Sequence, residues 1–198
     1  MRPLQTAMWE YIEVNLVGVI LLLVMLAAIC VRQSVRASAE QAYFSAMLVL
    51  NALILLADNG IYLLRGHTEP GWFVLSHVCC CLYFMLHVWF CYCWVRYAIL
   101  RLYQSKKLRG WITGLVMLPA LIGSAIALAS PFTGWLYTLS GDNVYHRGKY
   151  LLATFLIGIL YCTGCSLMVL HEMVHPRVRR DAKVYFALVF FPFPLILG

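Results

Sequence analysis

An all-α polytopic membrane protein is what this sequence predicts, and three observations predict it. Apolar residues fill 63% of its 198 positions and charged residues only 12%, where soluble domains run at roughly half and about a quarter. Mean hydropathy is +0.82, so charges are too few to coat a soluble fold of this size. The apolar residues also gather into runs of about 18 or more, enough to cross a hydrocarbon core of about 30 Å. Such runs are helices, because a helix closes its own backbone hydrogen bonds in lipid. The two-residue alternation of a barrel strand is missing from them.

The first run covers residues 14–31. Arg2 is the only basic residue before it, and Glu10 and Glu13 intervene. That makes a poor n-region, and the run is longer than a typical h-region, so it reads as a retained helix and not a signal peptide. The second run, 43–64, carries a polar break at Asp58, Asn59 and Gly60. The third, 71–95, is aromatic and holds His77, His87 and five cysteines, Cys79, Cys80, Cys81, Cys91 and Cys93. The fourth is 111–129. The fifth, 150–170, contains Cys162 and Cys165. A sixth begins near Val184 and is still apolar at Gly198. The expectation is five full transmembrane helices and a truncated sixth. Residues 1–198 then read as one transmembrane domain, expected to be a fragment; a seven-helix sensory domain with a cytoplasmic output domain beyond residue 198 would have this shape, and transporters and receptors would also fit it.

Basic residues set the expected orientation. Arg32 and Arg36 follow the first run; Arg96, Arg101, Lys106, Lys107 and Arg109 follow the third; Arg177, Arg179, Arg180 and Lys183 follow the fifth. The opposite side has only Arg2, Arg65, Arg147 and Lys149. The positive-inside rule places the N-terminus outside, along with the 131–150 loop. The net charge of +7 then faces anionic inner-leaflet lipid, and nothing in it asks for a nucleic acid. Trp9, Trp72 and Trp135 are expected near the outer interface of the inner (cytoplasmic) membrane, Trp94 and Trp111 near the inner one.

The loop PFTGWLYTLSGDNVYHRGKY, residues 131–150, is the long polar-aromatic segment between spans. Pro131 is expected to help end the fourth helix. Trp135 to Leu139 favours an extended strand, Ser140-Gly141-Asp142-Asn143 a turn, and Val144 to Arg147 a returning strand. Gly148 frees the backbone before the fifth span. The result is a short hairpin-like outer loop between helices 4 and 5, either a structural cap or a ligand-contacting lid.

Three constellations carry candidate chemistry. Asp58 is an ionisable group within a span, which is costly and a functional hypothesis by default. It lies about 9 Å below the end of its helix, at the depth of a pocket floor roofed by the loop, with Arg147 or His146 as the expected partner. The ligand-sensing candidates are accordingly Asp58, Asn59, Trp135, Tyr137, Asn143, Tyr145, His146 and Arg147. His171, Glu172 and His175 fit H-E-x-x-H, a zinc-protease spacing. Yet Pro176 follows at once and no third ligand is evident, so these residues read as the polar inner end of the fifth helix. His77 with Cys81, and His87 with Cys91, stand one turn apart; the histidines are about 15 Å apart along the axis. One metal cannot bridge both, which leaves haem, or a metal shared with another helix, as the alternative. No cofactor is expected, and thiols packed inside helices need no special role.

PFTGW, an aromatic strand, then DNVYHRG before a span resembles the N-terminal multi-helix membrane region of bacterial diguanylate cyclases (GGDEF proteins). Seven-helix sensory regions of some histidine kinases are related. LADNGIYLLRG, LYFMLHVWFCYCWVRYAIL and FFPFPLILG follow the family's second, third and sixth helices in order. The resemblance implies a signal-sensing input region whose parent protein makes cyclic di-GMP. GGDEF itself is absent, so no catalytic residue is carried over and this chain is not expected to be an enzyme. Membrane lipid, a small-molecule or membrane-state signal and a second copy of the chain are the partners this reading allows. A small transporter or channel is the alternative, and an intramembrane zinc metalloprotease a further one.

Overall fold

The computed structural model describes residues 2–32, 38–103 and 110–175, together with Tyr185 and Leu188. The chain order is α1 (Arg2–Arg32), α2 (Ala39–Leu63), α3 (Pro70–Tyr103), α4 (Gly110–Thr133), β1 (Tyr137–Leu139), β2 (Tyr145–Arg147) and α5 (Leu151–Val174). Each of the five helices is long and apolar enough to cross a membrane. The expected sixth span and the basic residues Arg36, Lys106, Lys107, Arg109, Arg177, Arg179, Arg180 and Lys183 lie outside the described residues. Tyr185 and Leu188 are buried in the main core.

Helix α3 organises the bundle. It packs against α2, α4 and α5, while α1 packs on α2. Its 34 residues span about 51 Å, well beyond the hydrocarbon thickness. Its buried side chains run from Ser76 to Leu102, so it is lined with core contacts over nearly its whole length. By contrast α1 shows most of its apolar surface outward, including Val17, Ile20, Leu21 and Val24. In water such a face would be a liability; in lipid it is solvated.

One sequence expectation fails along α3. The helix continues eight residues past Val95, so Arg96 and Arg101 are helical and not loop residues. Both are tied down: the Arg96 guanidinium lies 5.5 Å from the Tyr43 ring centroid and donates to Thr113 Oγ1 at 3.2 Å. Arg101 pairs with Glu40 at 2.8 Å. A long aliphatic stem lets such a charge end a span while its helix runs on. Trp94 is 4% exposed, inside the core.

Helix starts and irregularities follow local chemistry. Ser38 caps α2 by accepting from the Gln41 amide, and the Gln41 side chain accepts from the Ser38 amide in return, a reciprocal capping box. Helix α4 runs through both Pro119 and Pro131 to Thr133, so Pro131 does not end it. A proline leaves the carbonyl four residues earlier without its donor, and for Pro131 that carbonyl is Ala127 O, which the Cys81 thiol meets at 3.4 Å. Next to Pro119, the Tyr161 hydroxyl enters the ladder, accepting from Ala120 N at 3.1 Å and donating to Val116 O at 2.7 Å. Side chains of neighbouring helices thus enter the backbone ladder beside both prolines.

Candidate functional site

A two-stranded antiparallel hairpin closes one end of the bundle, with Tyr137 opposite Arg147, Thr138 opposite His146 and Leu139 opposite Tyr145. The paired strands are shorter than the expected ones, which covered Trp135 to Leu139 and Val144 to Arg147. The carbonyls of Trp135 and Leu136 are turned aside to accept from Tyr150 N and Gly148 N, each at 2.8 Å. Gly148 is obligatory at this crossing: a Cβ there would sit 2.3 Å from Trp135 O and 2.5 Å from the Leu136 carbonyl carbon.

The hairpin is attached at three levels. At its root, Leu136 is fully buried and its amide donates to Ser130 Oγ of α4 at 2.9 Å. At its tip, Asn143 adopts φ 54°, a left-handed conformation asparagine tolerates. Its side-chain amide reaches the C-terminal end of α2, donating to Leu64 O at 2.9 Å, and Gly66 N donates to Asp142 O at 3.1 Å. In the middle, Tyr137 is fully buried and plugs the bundle.

The Tyr137 hydroxyl sits between two side chains one turn apart on α3. His77 Nδ1 is 3.1 Å away and Cys81 Sγ 3.3 Å away; the hydroxyl also donates to His77 O at 3.1 Å. Its ring stacks with Phe84 at 6.0 Å and with Tyr145 at 6.3 Å, over a floor of Cys80 and Ala127. Burial, then the Cys81 hydrogen bond, pushes the Tyr137 phenol well above its ordinary pKa, so it stays neutral as a donor. Burial also raises Tyr145. His77 and Cys81 themselves remain half-exposed.

A second polar cluster lies between α1 and α2. Asp58 Oδ2 accepts from Tyr11 OH at 2.5 Å and from Asn15 Nδ2 at 3.1 Å. Asn15 also donates to Asn59 Oδ1 at 2.9 Å, and Asn59 Nδ2 reaches Ile12 O at 3.5 Å. The Asp58 pocket is therefore closed by α1, and not by the hairpin. Arg147 and His146, the partners expected for Asp58, are exposed on the second strand; among the described residues the ion pair is Arg101–Glu40 instead.

The eight sequence candidates thus separate. Tyr137 and Asn143 are buried and Tyr145 half-buried, His146 and Arg147 are exposed, and Trp135 packs edge-on to Tyr150 at 6.3 Å. Asp58 and Asn59 belong to the other cluster. Sequence reasoning missed Tyr11 and Asn15; the signal was an amide inside an apolar run, with a tyrosine one turn before it. At the far end, Glu172 is buried while His171 and His175 are exposed. His175 lies past the helix as its C-cap. Among the described residues no three of His, Cys, Asp and Glu come together as a metal-binding group.

No protein-family model matches the chain, and no curated protein or solved structure does.

Proposed function

We propose that this chain is a membrane-embedded signal-input region in which the hairpin is the sensing element and α3 the transmitter. The observation that carries this reading is the Tyr137 hydroxyl, buried at one end of α3 between His77 and Cys81. In this reading the hairpin, tied to the helices through Ser130, Leu64, His77 and Cys81, exchanges between two arrangements, docked and released. A signal acts on such an equilibrium only through different affinity for the two states. Release would leave the polar groups at His77 and Cys81 without their partner, a change made directly on the helix that runs the length of the bundle. The reading places the N-terminus and hairpin outside and the Tyr103 end of α3 inside, following the basic residues. It agrees with the resemblance to the sensory regions of diguanylate cyclases, which rests on the sequence.

Hydrogen exchange on the purified protein in lipid nanodiscs tests the coupling. Tyr137→Phe removes a buried hydroxyl and leaves its partners unsatisfied, a cost of roughly 1–3 kcal/mol. Amides of residues 136–148 should exchange about tenfold faster or more, and those of 96–103 should change with them. Faster exchange confined to the hairpin would show that α3 carries nothing.

The cluster of Asp58, Asn59, Asn15 and Tyr11 favours a second reading, a small transporter or channel, since intramembrane carboxylates often line ion paths. Ion flux into liposomes that Asp58→Asn abolishes would favour it over sensing.

A further inference from the structure

The geometry points to a binding site for a soft monovalent metal ion, Cu(I) in chemical class, formed by His77 Nδ1 and Cys81 Sγ and competed for by the Tyr137 hydroxyl. It rests on the reading of the hairpin as the input element and supplies that element with a ligand. His77 and Cys81 are four residues apart on α3, so both project from one face. Each lies within hydrogen-bond distance of the same oxygen, at 3.1 and 3.3 Å. An imidazole nitrogen and a thiolate converging on one point make a two-donor chelate, and thiolate donors select soft ions.

Donor number and charge both decide the class of ion. Zinc in a protein site takes four ligands, or three and a water, and no third His, Cys, Asp or Glu joins this pair among the described residues. Cu(I) is content with two or three. Binding replaces the thiol proton: the S–H bond breaks, the proton leaves to water, and S–Cu and N–Cu bonds form with copper remaining Cu(I). His77 binds through the Nδ1 lone pair with its own proton on Nε2. The site is neutral before and after, whereas a divalent ion would leave a net positive charge in a poorly solvated bundle. Phe84, Cys80 and Ala127 wall the site, and the half-exposed edges of His77 and Cys81 give entry. An ion here takes the Nδ1 and Sγ atoms that now face the Tyr137 hydroxyl, the imidazole proton moving from Nδ1 to Nε2, so it competes with the docked hairpin.

The test uses the whole chain in nanodiscs, titrated with Ag(I) as a redox-silent probe and with anaerobic Cu(I) against a chromogenic chelator. Other cysteines bind soft ions too, so the informative variants change His77 as well as Cys81. His77→Gln keeps a hydrogen-bonding side chain for Tyr137 but offers no imidazole. Together with Cys81→Ser it should lose the tightest equivalent, by tenfold or more in affinity, with thermal unfolding unchanged in His77→Gln. Tyr137→Phe should retain that equivalent and bind it as tightly or more so. X-ray absorption should show nitrogen and sulfur around the ion. A tightest equivalent indifferent to His77→Gln, or weakened by Tyr137→Phe, overturns the site. That result leaves the exchange experiment on Tyr137→Phe to stand alone, so the two readings fail separately.

Discussion

Asp58 shows how one carboxylate decides which helices meet. Placed in an apolar helix, it needs donors, and Tyr11 and Asn15 supply them from α1. Asn15 divides its amide between Asp58 and Asn59, so the three side chains act as one network. The expected consequence is non-additivity. Tyr11→Phe and Asp58→Asn, measured singly and together by unfolding in mixed micelles, should show a coupling of at least about 0.5 kcal/mol, as for contacting residues. Asp58→Asn with Arg147→Gln should be additive. Coupling in the second pair and none in the first would return Asp58 to the hairpin. The position of Asp58 within a span was legible in the sequence, because an acidic residue amid Leu and Ala stands out. Its partner was not, since Tyr11 and Arg147 both lie far from Asp58 in sequence and only packing chooses between them.

At the scale of elements, helix length and composition located all five apolar helices, yet their ends were less legible. Arg96 and Arg101 looked like loop residues because charge usually marks the edge of a span. Tyr43, Thr113 and Glu40 hold them on α3, and those partners come from two other helices. Pro131 looked like a helix end for a similar reason, whereas the Cys81 thiol meets the carbonyl it frees. The hairpin depends most on backbone crossing at Gly148. Gly148→Ala should destabilise the docked hairpin by about 3 kcal/mol, at the upper end of ordinary substitutions, because the new Cβ meets carbonyl groups and not a flexible side chain. Limited proteolysis within residues 138–146 should become faster in that variant. Unchanged proteolysis would mean that the Trp135–Gly148 crossing does not hold the hairpin.

For the whole molecule, the central claim is that the hairpin faces the exterior and the far end of α3 the interior. The native cysteines Cys30, Cys79, Cys80, Cys81, Cys91, Cys93, Cys162 and Cys165 all lie within helices, which makes an added loop thiol a usable probe. The most direct measurement is labelling of Ser140→Cys and Ser105→Cys with a membrane-impermeant thiol reagent in intact cells. Ser140 lies between the two strands and Ser105 two residues beyond the end of α3 at Tyr103. The account predicts that Ser140→Cys reacts from outside above the native background, and that Ser105→Cys reacts only after permeabilisation. Labelling in the reverse pattern would contradict it, placing the hairpin inside the cell and removing its role as a receiver of external signals.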